Sequence, residues 1–107
     1  MILSTTESVP GHRVTASHGL VRGNTIRARH LGRDISAGLR ALVGGEISDY
    51  TKMMGEAREQ ALDRMIEEAR IVGGNAVIGV RFSTSYVMQS AAEILVYGTA
   101  VTVEEGD

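Results

Sequence analysis

The sequence predicts an α+β domain of two layers, in which one long helix covers a three-stranded antiparallel sheet. Two observations lead to this fold class. Apolar residues recur at helical spacing between Met54 and Val72, and apolar patterns of period two mark strand-like stretches before and after them. The predicted order along the chain is strand, helix, strand, strand. A strand–helix–strand connection makes the first two strands parallel, so the third can lie antiparallel between them, which gives the sheet order 1-3-2.

The length and composition describe one folded domain, residues 1–107, with 43% hydrophobic and 22% charged residues. A net charge of −2 gives no global attraction to nucleic acid or to an anionic membrane. The sequence has no cysteine, which excludes disulfides and thiol catalysis. It also shows neither a signal-peptide pattern nor an apolar run of membrane-span length. We therefore expect a cytoplasmic protein with no nucleic-acid or membrane partner.

The first long strand is expected from His12 to Ala28, after a short N-terminal strand at residues 1–3 and a turn at Pro10. β-Branched residues favour extended structure throughout this stretch. Three residues interrupt it and indicate a bulge, a bend or a tight hairpin: Gly19, Gly23 and Asn24. A short extra helix then follows, capped by Asp34 and stopped by Gly44 and Gly45.

The long helix is expected to begin at Ser48 or Asp49 and to end at Gly73 and Gly74, which are typical left-handed caps. Its apolar row advances by three or four residues at each step: Met54, Ala57, Ala61, Met65, Ala69 and Val72. The opposite side carries an acidic row: Glu56, Glu59, Asp63 and Glu67. Such a row favours contact with a basic surface, although solvated acids are also usual on a polar helix face.

The last two strands are expected at Ala76–Met88 and Glu93–Val103, joined as an antiparallel hairpin. The segment from Ile94 to Val103 is apolar on both of its alternating faces, and one helix can hide only one of them. The second face needs the short helix, the N-terminal segment or another subunit as a cover. We favour a subunit contact, which predicts a homo-oligomer.

Four stretches cover nearly the whole chain in order: GNTIRARHLGRDISAGLRALVGGE (23–46), TKMMGEAREQALDRMIEEA (51–69), GGNAVIGVRF (73–82) and AAEILVYGTAV (91–101). Together they resemble the YbjQ-like family, which is sometimes labelled "putative heavy-metal-binding". The resemblance implies a subunit of dodecin-like topology, assembled through short added strands into a ring-shaped homopentamer. The family has no established biochemical function and no agreed catalytic motif, so the resemblance implies architecture rather than activity.

The metal label directs attention to the three histidines, His12, His18 and His30, because no thiolate is present. His12 and His18 share a strand face but are six residues apart, roughly 20 Å at about 3.3 Å per residue. Unbroken strand geometry therefore forbids one site within a subunit. Copies of one histidine around a symmetry axis can still meet, joined by a carboxylate such as Glu46 or Glu93, and would hold a divalent metal.

Half of the ten arginines lie between the first strand and the short helix: Arg22, Arg27, Arg29, Arg33 and Arg40. Guanidinium groups suit an anion or phosphate site at a subunit junction, for which Arg27, Arg29 and Arg33 are the candidates. The alternative that their complementary charge favours is pairing with the acidic row of the long helix, within or between subunits.

The sequence predicts no enzyme, because no G-x-S-x-G elbow is present and neither glycine pair has the context of a phosphate loop. The leading hypothesis is a non-enzymatic homo-oligomeric assembly or small-ligand-binding module. One alternative is a metal-binding protein that uses His and carboxylate groups from several subunits. A second alternative, a flavin binder like the dodecins, rests on topology alone, and the chain lacks the tryptophans that dodecins stack on their cofactor.

Overall fold

The computed structural model describes residues 1–28, 47–88 and 91–106. Within these ranges the chain forms one helix and four strands: β1 (Ile2–Leu3), β2 (His12–Ala28), α1 (Ile47–Ile71), β3 (Ala76–Met88) and β4 (Ala91–Glu105). The predicted α+β class is confirmed. The short helix expected from Asp34 to Gly45 falls outside the described residues.

The four strands form one mixed sheet in the order β1-β3-β4-β2. The predicted order 1-3-2 is therefore not the order of the whole sheet, and the sheet is not purely antiparallel. The difference comes from β1, which pairs parallel to β3 through Ile2 with Ala76 and Leu3 with Val77. This short strand extends the sheet at the outer edge of β3. Among the three long strands, β4 lies between β2 and β3 and is antiparallel to both.

β2 is one continuous strand of 17 residues rather than a hairpin. Its register against β4 shifts twice, and the shift between Ser17 and Gly19 is the irregularity predicted at Gly19. The shift between Val14 and Ala16 was not predicted, and pairing is regular at Gly23 and Asn24. Gly23 has a different role, because it lies where α1 crosses the strand. A Cβ at this position would lie 2.5 Å from the amide nitrogen of Met65.

The helix α1 is amphipathic as predicted, and it lies mainly over β2 and β4. Its small residues allow close packing, and five members of the predicted apolar row are buried: Met54, Ala57, Ala61, Met65 and Ala69. Val72, the sixth, follows the last helical residue and is exposed. Gly73 has a φ of 95° and closes the helix, as expected of a left-handed cap. No helix in the described part of the chain is long and apolar enough to span a bilayer.

The two faces of β4 are covered differently. On the side of α1, Ile94, Val96 and Ala100 belong to the main core. On the other side, Val101 and Val103 pack against Val9 of the N-terminal segment, residues 1–11. The N-terminal segment was one of the three covers considered, and it covers one end of this second face.

Candidate functional site

The face of the sheet turned away from α1, which we call the outer face, is not covered beyond Val101 of β4 by any other described element. Paired positions place the following side chains on it: Leu20, Arg22, Asn24 and Ile26 of β2, with Thr99, Tyr97, Leu95 and Glu93 of β4. Leu20 and Ile26 are 67% and 61% exposed, although both are large aliphatic residues. Tyr97, between them on the neighbouring strand, is also exposed. The outer face therefore presents an apolar patch of Leu20, Ile26 and Tyr97.

A cavity of about 500 Å³ lies at the β3 side of the outer face. Its lining contains groups of both charges and one hydroxyl: Glu7, Ile78, Gly79, Arg81 and Thr99. Gly79 has a φ of 62° and lies within a register shift of β3 between Ile78 and Arg81. Because a bulge bends a strand away from its neighbour, it opens the space that Arg81 borders.

The N-terminal segment closes one wall of this cavity. The amide of Gly79 donates to the carbonyl of Thr6 at 2.9 Å, and the amide of Val80 donates to that of Ser4 at 3.0 Å. Within the segment, the hydroxyl of Thr6 donates to the carbonyl of Ser8 at 2.5 Å. These bonds fix the loop that carries Glu7 against the bulge that precedes Arg81.

A second depression, of about 310 Å³, lies on the helix side, where α1 leaves β3 uncovered. It is lined by Thr51, Met54, Arg58, Thr84 and Tyr86. Tyr86 is 78% exposed, and Phe82, two positions before Thr84 on the same face of β3, is also exposed. This second depression is bordered by polar side chains such as Arg58 and by the aromatic ring of Tyr86.

The described histidines do not meet. A ring nitrogen of His12 lies 3.0 Å from the carbonyl oxygen of Pro10, whereas His18 lies 2.8 Å from the hydroxyl of Thr102 near the end of α1. The two bulges of β2 lie between these histidines and interrupt the alternation that assigned them to one face. His30 is outside the described residues.

A metal site is not formed within the described residues of one subunit. No three His, Asp or Glu side chains in residues 1–28, 47–88 and 91–106 converge as metal ligands. Three or four converging ligands are typical of a protein zinc site. The described residues of a single subunit therefore do not fit a heavy metal.

Of the predicted anion-site arginines, Arg27 alone is described, and it lies on the side of α1. One of its terminal nitrogens donates to the side-chain oxygen of Gln60 at 2.6 Å. It thus contacts an amide of the helix rather than the acidic row. Arg29 and Arg33 are outside the described residues, as is Arg40, so the anion site at a subunit junction stays a prediction.

Sequence patterns did not point to Glu7, Arg81 or Thr99 as site residues. Arg81 and Thr99 fell within the predicted strands Ala76–Met88 and Glu93–Val103, and Glu7 fell in no predicted element. The sequence does contain one indication of this site, namely Gly79. A glycine inside a strand pattern indicates a bulge, and a bulge changes the direction in which the following side chain of Arg81 points. The pairing of the N-terminal segment with β3 has no comparable signal in the sequence.

Comparisons with known proteins agree with the resemblance seen in the sequence. The family model described as "Putative heavy-metal-binding" matches residues 1–104. A UPF0145 protein of Dehalococcoides mccartyi is 61% identical over 104 residues, which are 97% of this chain and 100% of that protein. A UPF0145 protein of Thermus thermophilus is 60% identical, over 97% of this chain and 91% of that protein. These names assign no activity.

The comparison of structures supports the fold. A crystal structure of a protein of unknown function from Pediococcus pentosaceus, assigned to the DUF74 family, superposes with a TM-score of 0.68 at 16% sequence identity. The match covers 97% of this chain and 98% of that one. With a family model that spans almost the whole sequence and relatives that share more than half of its residues, this chain belongs to the YbjQ-like, UPF0145 family.

Proposed function

We propose that this chain is the subunit of a non-enzymatic homo-oligomer, in which neighbouring copies cover the strand edges and the part of the outer face around Leu20, Ile26 and Tyr97. The observation that carries the proposal is the exposure of Leu20 and Ile26 on one side of β2, beside Tyr97. Single exposed apolar residues are ordinary, but three on one sheet face favour a contact surface. Along β2, Arg22 and Asn24 separate Leu20 from Ile26, so this surface is of mixed polarity. A second copy is the occupant that the composition of this patch fits best.

The free edges of the sheet support the same proposal. β2 ends the strand order, so the outer edge of its 17 residues has no neighbour among the described strands. At the opposite end, β1 pairs only with Ala76 and Val77 of β3, which leaves the later residues of β3 without a strand on that side. Long edges with unpaired backbone groups are templates for another strand. Because the two edges differ, pairing between them would be heterologous, which gives a ring when the rotation between neighbouring subunits closes.

The elongated shape of the subunit is a third supporting observation. Its radius of gyration is 17.4 Å and its principal extents are 55 × 22 × 16 Å. A compact domain of about 100 residues has a radius of gyration of about 13 Å. A thin subunit hides little surface by itself, and packing against neighbours supplies the missing burial. We propose five subunits per ring, the number that the family resemblance implies.

The stoichiometry and the contact surface are tested together by native mass spectrometry at micromolar concentration. We expect a pentamer for the wild type and smaller species for Leu20→Glu and Ile26→Glu, because a buried unpaired carboxylate opposes association. The matched control is Ile71→Glu, since Ile71 is 75% exposed but ends α1 on the other side of the sheet. Circular dichroism checks that all three variants are folded. A monomeric wild type contradicts the proposal, and so do variants that remain fully assembled.

The family description favours a second candidate, a protein that binds a divalent metal through His and carboxylate groups of several subunits. Elemental analysis of protein purified without an affinity tag tests it, with His12→Ala, His18→Ala and His30→Ala as variants. Stoichiometric metal that one substitution removes is the expected result, and a metal-free wild-type assembly contradicts it. The dodecin-like cofactor binder stays a prediction, which the visible absorbance of freshly purified protein tests.

A further inference from the structure

The cavity on the outer face has the features of a built ligand site rather than a gap between side chains. It is formed by the bulge at Gly79 and by the N-terminal segment, which is hydrogen-bonded to that bulge through Thr6 and Ser4. Its volume of about 500 Å³ falls within the range of about 300–1,000 Å³ that is usual for small-molecule sites. The backbone on two sides of the cavity is therefore fixed by hydrogen bonds, while the side chains of Glu7 and Arg81 are exposed to it.

Among the described residues, the partners of Arg81 occupy one terminal nitrogen and leave the other edge of its guanidinium group for a ligand. A single terminal nitrogen, Nη1, donates both to the carbonyl oxygen of Thr5 at 2.7 Å and to that of Val80 at 2.8 Å. Those two bonds use both hydrogens of Nη1, whereas the other terminal nitrogen and Nε carry three more. Two parallel N–H groups on a fixed guanidinium are the standard partner of a carboxylate.

Glu7 contributes the opposite charge to the same cavity. Although both residues line it, Glu7 and Arg81 form no ion pair with each other, and the one ion pair among the described residues joins Arg13 to Glu104. A simple anion at Arg81 would meet repulsion from Glu7. A ligand that carries an ammonium group beside its carboxylate satisfies both residues at once.

We propose that this cavity binds a small zwitterion, namely a free α-amino acid with an apolar side chain. The carboxylate binds the free edge of Arg81, the ammonium group faces Glu7, and the apolar side chain lies against Ile78. The hydroxyl of Thr99 provides a further polar contact in the same lining. This inference goes beyond the proposed assembly, since it requires residues of one subunit only.

The first test compares three ligands in a titration of the full chain followed by two-dimensional amide NMR. L-Leucine carries both charges, 4-methylpentanoate lacks the ammonium group, and 3-methylbutylamine lacks the carboxylate. We expect millimolar L-leucine to shift the amides of Gly79 and Arg81, with at least tenfold weaker binding of both analogues. Binding of 4-methylpentanoate or inorganic phosphate as tight as that of L-leucine overturns the proposal, as does an absence of shifts.

Two variants test which charged residue binds which group of the ligand. Arg81→Gln is expected to weaken the binding of L-leucine at least tenfold. Glu7→Gln should weaken the binding of L-leucine but strengthen the binding of 4-methylpentanoate, because it removes the repulsion between the Glu7 carboxylate and the carboxylate of the ligand. Glu7 lies on an exposed loop, so this second variant remains informative if Arg81→Gln fails to fold. Arg70→Gln, at the exposed end of α1, is the control and should bind like the wild type. Equal binding by all variants overturns the assignment.

Native mass spectrometry of the same samples separates this proposal from the proposed assembly. Loss of leucine binding in a variant that keeps the wild-type stoichiometry supports the site. If the wild type is monomeric and still binds L-leucine with the expected charge dependence, the assembly proposal fails while the site stands. If ligand binding is lost only together with assembly, the site as assigned to one subunit is wrong.

Discussion

Gly23 is a position of close approach between β2 and α1. A Cβ there would meet the carbonyl oxygen of Ala61 and would lie 2.5 Å from the amide nitrogen of Met65, both of them backbone atoms of the helix. Backbone cannot rotate away as a side chain can, so any larger residue must push α1 off the sheet. The absence of a side chain at this one position sets the distance between the two layers.

We therefore expect Gly23→Ala to lower the free energy of unfolding by about 3 kcal/mol, the upper range for overpacking a core. Gly55→Ala is the matched control, because the nearest group to its added Cβ is the flexible end of Arg58 at 4.0 Å. That control should stabilise the protein by about 1 kcal/mol through helix propensity. Urea unfolding of both variants measures the difference, and an equal effect of the two contradicts the close approach at Gly23.

Asn75 shows how a single side chain can take the place of backbone pairing. Its side-chain nitrogen Nδ2 donates to the backbone carbonyl of Val103 at 3.0 Å, and its side-chain oxygen Oδ1 accepts from the backbone amide of Val103 at 2.8 Å. The side chain thus continues the ladder between β3 and β4 by one step beyond the first residue of β3. No sequence pattern indicated this role.

At the scale of elements, α1 holds the main core together from one side. Met65 is fully buried between the helix and the sheet, among the alanines that allow the close packing. Val21, Ile94 and Val96 form the opposite wall of this core. The helix therefore depends on a few large side chains, and Met65 is the largest that is fully buried.

Met65→Ala should destabilise the protein by about 3 kcal/mol, in the range measured for truncating a buried methionine. Ile71→Ala should cost less than about 0.5 kcal/mol, because surface substitutions away from special features have small effects. Thermal unfolding at one fixed protein concentration compares the two. A cost for Ile71→Ala as large as that for Met65→Ala would show that the end of α1 is buried in solution.

The sequence predicts the long helix and the three long strands well, because each has an apolar pattern of local period. The spacing of Met54, Ala61 and Met65 predicted the buried side of α1, and Gly73 predicted its end. What periodicity cannot supply is long-range pairing. β1 is too short for a pattern, and its place beside β3 depends on backbone bonds such as that from Ser4 to Val77. The cavity lined by Glu7 and Arg81 unites residues 74 positions apart, so the sequence offered only the glycine between Ile78 and Val80 as a hint.

At the scale of the whole molecule, the described part of the subunit is long and thin. In the proposed assembly a second copy would cover part of its outer face and its strand edges, and binding that occurs only in the folded state adds to stability by mass action. The fold and the proposed assembly are therefore expected to be thermodynamically linked.

This linkage predicts a melting temperature that depends on protein concentration. For a five-subunit assembly, a tenfold increase in protein concentration stabilises the folded, assembled state by about 1 kcal/mol per subunit. This raises the melting temperature by about 4 °C for a chain of this size. Differential scanning calorimetry at two concentrations measures it. Leu20→Glu is expected to abolish the dependence, and a wild type without it contradicts the linkage.

The central place of β4 has a consequence for how the protein is made. β4 is the last of the described strands along the chain, yet both β2 and β3 pair with it. On the ribosome, β2 and β3 are complete while their shared partner is still being synthesised, so neither long pairing can form early. Such non-local pairing folds slowly and leaves strand edges open in the meantime. The nascent chain is thus most vulnerable to aggregation just before β4 emerges from the ribosome.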